Sequence, residues 1–102
     1  MVTYHGIFTV KPGQRDRYVE EIRASKLVEA FRKQHGCIFY EVSKAVLEEN
    51  DIVVSDAWET EEDYRAHVDS RAVADWHAIY HRYVVNCVEH EYHFEPEGVR
   101  NI

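Results

Sequence analysis

The segment Asp51-Ile52-Val53-Val54-Ser55-Asp56-Ala57-Trp58 runs directly into Glu59-Thr60-Glu61-Glu62-Asp63-Tyr64-Arg65-Ala66-His67, and this junction decides the fold. Its first half is rich in β-branched residues and reads as a strand ending at Trp58. Thr60 followed three positions later by Asp63 reads as a helix-opening capping pair. A tryptophan therefore closes a strand, while His67 stands about two turns into the helix that follows. With Ser70 and His77 further along, the region has the outline of a site.

Upstream, the polar turn Glu48-Glu49-Asn50-Asp51 joins this strand to another over about 37–46, a separation that fits an antiparallel hairpin. Residues 2–10 form a further strand, with Tyr4, Gly6, Phe8 and Val10 on one face and His5, Ile7 and Thr9 on the other, ended by Pro12-Gly13. From about 14 to 34 the pattern is helical and closes at His35-Gly36, where Gly36 supplies the left-handed terminal residue. The apolar positions of this helix fall in two groups, Tyr18, Val19 and Ile22, then Leu27, Ala30 and Phe31. At about 100° per residue the second group is rotated by roughly a third of a turn from the first, which predicts a bend near Ser25 and Lys26.

Downstream, a helical region over about 61–83 is broken at Asp69-Ser70, both good capping residues. In its second half Val73, Trp76, His77, Tyr80 and Val84 trace one expected buried face, which places His77 in the core stripe. A last strand covers about 85–94, and Pro96 with Gly98 opens a polar tail over 96–102 that is expected to reach a partner. The order β-α-β-β-α-β is the ferredoxin-like arrangement, an α+β subunit with a four-stranded antiparallel sheet in one domain over 1–102. Helices on one sheet face leave the other uncovered, so a homodimer formed through that face is expected.

The net charge of −7 would repel a phosphate backbone or an anionic membrane surface at long range, so neither nucleic acid nor membrane is an expected partner. No apolar run approaches the roughly 18 residues of a membrane span, and the N-terminus lacks a secretory pattern, so a cytoplasmic location is expected. Cys37 and Cys87 read as small apolar side chains, and no Cys-x-x-Cys or Gly-rich phosphate loop is present. His77 and His81 stand one helical turn apart and could hold a metal if a carboxylate converged on them, but such a pair arises by chance among seven histidines and no metal is expected.

Four pieces of the chain, in order, resemble the antibiotic biosynthesis monooxygenase family: Phe8 to Gly13 after the first strand, His35-Gly36-Cys37, Trp58-Glu59-Thr60, and Ala66-His67 through Ser70. The resemblance implies a dimeric α+β barrel built from ferredoxin-like subunits, with a small-molecule pocket between sheet and helices. It implies a monooxygenase that needs no cofactor and acts with O2 on an electron-rich phenol, quinol or polycyclic aromatic.

His67 is the leading catalytic candidate, because an imidazole is suited to moving a proton near neutral pH. The same position suits a half-buried histidine hydrogen-bonded to backbone. Trp58 is the second candidate, as a flat pocket wall with an indole N–H for a polar oxygen. Helical spacing sets Tyr64 and Arg71 on the His67 face, and His77 joins them in positioning the aromatic substrate. Tyr4, Phe8, Phe39, Trp76 and Tyr80 are the expected apolar walls that exclude water. Three other readings stay open. One is an isomerase using the same base beside a carbonyl, and another is a non-catalytic ligand-binding dimer. The third is a haem-degrading enzyme with His77 as ligand, although no asparagine stands near Gly6 where that branch carries one.

Overall fold

The computed structural model describes residues 1–94 and builds them as β1(Val2–Val10), α1(Arg15–Ser25), α2(Leu27–Arg32), β2(Cys37–Lys44), β3(Asp51–Trp58), α3(Glu61–Val68), α4(Arg71–Tyr83) and β4(Val84–His93). The strands form one antiparallel sheet in the order β2-β3-β1-β4, the ferredoxin-like layout, so Cys37 and Cys87 fall on opposite edge strands, both as free thiols. The expected polar tail lies outside the described residues.

Strand register sorts every side chain onto one of two faces. Tyr4 pairs with Asp56, which pairs with Tyr40, and one pleat further Gly6, Val54 and Val42 align in the same way. These rows face the helices and, with Phe8, Ile52 and Trp58, form the sheet side of the core. On the opposite face lie His5, Ile7, Val53 and Phe39. The expectation that Phe39 walls a pocket fails here. Phe39 pairs with Ala57 on the open side and is 40% exposed, while its neighbour Tyr40 turns inward. Cys37-Ile38-Phe39-Tyr40 shows no alternation, and a bulge between Cys37 and Phe39 resets the register.

Both helical regions are broken where their apolar stripes demand it. Lys26 adopts a left-handed conformation (φ 62°) between α1 and α2, and the Ser25 hydroxyl donates to Ile22 O at 2.6 Å and accepts from Leu27 N at 3.2 Å. The turn redirects α2 so that Leu27 and Phe31 enter the core beside Tyr18 and Ile22. Thr60 Oγ1 caps α3 by accepting from Asp63 N at 3.1 Å, and Ser70 Oγ caps α4 by accepting from Val73 N at 3.3 Å. The buried stripe of α4 is Val73, Trp76, Ile79 and Tyr83, so Ile79 and Tyr83 take places that the sequence reading assigned to His77 and Val84.

Gly36 links the two halves of the fold. It sits at φ 80°, its carbonyl accepts from Glu59 N at 2.8 Å, and an added Cβ would lie 2.1 Å from Asp63 Oδ2. Gly36→Ala meets both a disfavoured backbone and a clash, and is expected to cost about 1–3 kcal/mol in urea unfolding. The double variant with Asp63→Ala removes the carboxyl but keeps a Cβ 2.7 Å away, so it recovers only part of the clash and none of the backbone cost.

Candidate active site

The helix-facing rows of the sheet do not meet the helices everywhere. Between them and the inner sides of α3 and α4 lies a cavity of about 340 Å³. Tyr4, Phe8, Tyr40, Val54 and Asp56 form its sheet wall, and Tyr64, His67, Trp76 and Tyr80 its helix wall. His77, His81 and Glu89 stand at its exposed rim. Gly6 contributes by lacking a side chain, since a Cβ there would come within 2.8 Å of both the Tyr4 hydroxyl and the Phe8 ring.

His67 stands on the helix side and is only 6% exposed. Its ring stacks on Trp58 with centroids 4.4 Å apart and an interplanar angle of 24°, while Phe31 meets it edge-on at 4.8 Å. Nδ1 lies 2.6 Å from Gln34 Oε1, which can only accept. Nδ1 therefore carries the hydrogen, and Nε2 keeps its lone pair. Burial among aromatic rings pushes the imidazole pKa down to about 4, so the ring is neutral near pH 7. The near-neutral titration that recommended His67 as a base is absent, and what remains is a fixed hydrogen-bond acceptor.

Asp56, which the sequence reading passed over, is the other polar group in this dry layer. It is 2% exposed, and its Oδ1 accepts the Trp58 indole N–H at 2.7 Å. Burial pushes its pKa up from 3.8 to about 7, opposed by the indole bond. A signal for it existed in the alternation Ile52, Val54, Asp56, Trp58, which sets a lone carboxyl on a buried face. Tyr40 was hidden by the apolar run around it. Gln34 carries no sequence signal, because it acts from the loop after α2 only once the chain has folded back.

Of the expected site residues, the structure brings Tyr4, Phe8, Tyr64, His67, Trp76 and Tyr80 together around the cavity. Trp58 does not line it. That indole is fully buried behind His67 and works by holding the imidazole on its face and Asp56 on its N–H. Arg71 is also absent, because the break before α4 turns it outward to an exposed ion pair with Asp75 at 3.0 Å. His77 reaches the rim from an exposed position rather than the core stripe.

Residues 1–79 match the profile of the antibiotic biosynthesis monooxygenase family. The fold is similar to that of a Nitrosomonas europaea protein provisionally assigned as an antibiotic biosynthesis monooxygenase, at TM-score 0.81 and 16% identity, covering 92% of this chain and 98% of that one. A Chloroflexus aurantiacus protein with the same provisional assignment gives TM-score 0.73 and 24% identity, with 89% of each chain covered. A conserved protein of Methanosarcina mazei gives 0.81 and 17%, with 92% of each covered. At such identities these likenesses establish the fold alone. No curated protein is significantly similar.

The two buried groups set opposite pH dependences of stability. Unfolded Asp56 ionises near 3.8 and the folded residue near 7, so its contribution to stability falls as pH rises through that window. Folded His67 resists protonation until about 4 whereas the unfolded ring takes a proton near 6.5, so its contribution falls as pH drops from 6.5 to 4. Asp56→Asn is therefore expected to gain on the wild type by a few kcal/mol between pH 4 and pH 8 in urea unfolding. A constant difference across that range would mean that the carboxyl does not titrate in the fold as described.

Proposed function

The chain belongs to the antibiotic biosynthesis monooxygenase family, and on that premise we propose that it is a cofactor-independent monooxygenase oxidising an electron-rich phenol, quinol or polycyclic aromatic with O2. The observation that carries this reading is the pairing of an aromatic-walled cavity with an imidazole whose tautomer is fixed by Gln34. Rings suit rings: Phe8, Trp76 and Tyr80 offer flat apolar contact to an aromatic guest, and His67 Nε2 accepts a hydrogen bond from its hydroxyl. In this scheme the substrate is itself the reductant. Loss of the hydroxyl proton gives a phenolate that passes an electron to O2, and the surrounding apolar walls keep water from the peroxide that forms.

Cavity size narrows the guest. Liquid water occupies ~30 Å³ per molecule, so about 340 Å³ equals the space of roughly ten waters. Covalently bonded ring atoms pack more closely than that, so one or two rings fit with margin. We further propose that a second copy covers the open sheet face, where Phe39, Val88 and Tyr92 are 40%, 47% and 49% exposed.

Purified protein is expected to consume O2 with members of a panel of hydroquinones, naphthols and anthrones. His67→Ala, folded by circular dichroism, should lose about 10–100-fold in kcat/KM, the worth of one hydrogen bond to a group that becomes charged, and uptake equal to wild type would remove His67 from the reaction. Product formation that continues under argon would instead identify a proton-transfer isomerase. For the assembly, sedimentation should give a dimer mass that falls to that of a monomer in Val88→Asp, and a wild-type monomer would refute the covered face.

A further inference from the structure

We propose that Asp56, through its Oδ2, takes the hydroxyl proton of the bound phenol, while His67 orients that hydroxyl without removing its proton. The phenolic substrate is that of the oxygenase reading above, and the assignment goes beyond it by dividing the work between two groups. Asp56 lines the cavity from the middle of its sheet wall, between Tyr4 on β1 and Tyr40 on β2. Its Oδ1 is held by the Trp58 indole, and no described residue donates to Oδ2. A buried carboxylate normally has both oxygens satisfied. This one is anchored at one oxygen and free at the other, on the wall that a guest would touch.

The groups around it leave the proton no better acceptor. From β1, Tyr4 donates its hydroxyl to Glu89 Oε1 at 2.6 Å, which occupies that β4 carboxylate at the rim. From β2, Tyr40 and Cys37 are held protonated by burial. From α3, burial likewise raises Tyr64, and His67 is a neutral ring far too weak a base near pH 7. From α4, His77 and His81 stand at the exposed mouth. Among the described residues no lysine or arginine lines the cavity to hold Asp56 ionised at low pH. With its pKa near 7, the carboxyl has a driving force matched to accepting and returning a proton at neutral pH.

The step balances. The phenol O–H bond breaks, its electron pair stays on oxygen as phenolate, and the proton forms Asp56 Oδ2–H. O2 then takes up the phenolate electrons in forming a carbon–oxygen bond, and the resulting peroxide anion recovers the proton from Asp56 as hydroperoxide. That product loses water to leave the quinone, and the carboxylate is restored.

Asp56→Asn keeps an oxygen to accept the indole N–H but has no basic site, which isolates the proposed role. Under argon, with para-nitrophenol as the probe near pH 7, binding followed by tryptophan quenching should agree with the wild type within about threefold. The wild-type complex should show more phenolate absorption than the free probe at the same pH, where part of it is already ionised, and, in infrared difference spectra, a new carboxylic acid C=O band, and Asp56→Asn should show neither the excess nor the band. With O2 and an oxidised panel member, Asp56→Asn should lose about 10²–10⁴-fold in kcat with little change in KM, and the acid limb near pH 7 should vanish. His67→Gln should keep that limb at reduced kcat.

Phenolate formation by Asp56→Asn equal to wild type, or an unchanged acid limb, overturns the assignment while leaving O2 uptake intact as support for the oxygenase. A wild type that binds and ionises the probe but consumes no O2 with any phenol overturns the oxygenase reading while the role of Asp56 stands. Failure of the wild type to bind any phenol overturns both.

Discussion

One indole organises the interior. Trp58 ends β3 with its ring against His67 and its N–H on Asp56, so a single side chain fixes an imidazole on its face and a carboxyl at its edge. Neither polar group would be held in a dry core by packing alone, because each is costly to bury without a partner. The indole satisfies one oxygen of Asp56, and Gln34 satisfies one nitrogen of His67. Each group is left with one free atom. That arithmetic, one bond spent on holding and one kept for a guest, sets the geometry of everything around the cavity.

Placing those groups depends on interruptions rather than on regular structure. An unbroken helix through Ser25 and Lys26 would carry Phe31 away from the core, and the edge-on ring against His67 would be lost. An unbroken helix through Asp69 and Ser70 would keep Arg71 on the His67 face, adding a cation to the cavity and drawing Asp56 towards its ordinary carboxylate range. The break turns Arg71 outward to Asp75 and brings Trp76 inward instead. The breaks therefore control the charge of the site as well as its shape.

How much of this is legible in the sequence follows from the period of each element. Strands and helices with clean alternation or capping, such as β1, β3 and the Thr60 and Ser70 caps, are read directly, and so is the bend at Lys26 from its displaced stripes. Phe39 is misplaced because four apolar residues in succession carry no face information and a bulge between Cys37 and Phe39 shifts the register within them. His77 is misplaced because an aromatic-rich helix offers two overlapping stripes, and Ile79 and Tyr83 bury more apolar surface than an imidazole would. Histidines and tryptophans draw attention as site residues, whereas Asp56 was visible only as the wrong residue type on a buried face. That inconsistency is the stronger signal, since burying a carboxyl costs stability and a fold retains it where something else depends on it.

The division of labour between Asp56 and His67 follows from burial acting on groups of opposite charge type. The same dry layer disfavours both charged forms, so it lowers the imidazole to about 4 and raises the carboxyl to about 7. The histidine is thereby moved out of the range where it exchanges protons and the aspartate is moved into it. In water their roles would be reversed. A hydroxyl in the cavity that both residues line meets an acceptor that cannot easily become charged and a base that gains little by staying charged, which favours proton transfer to the carboxyl and hydrogen bonding to the ring.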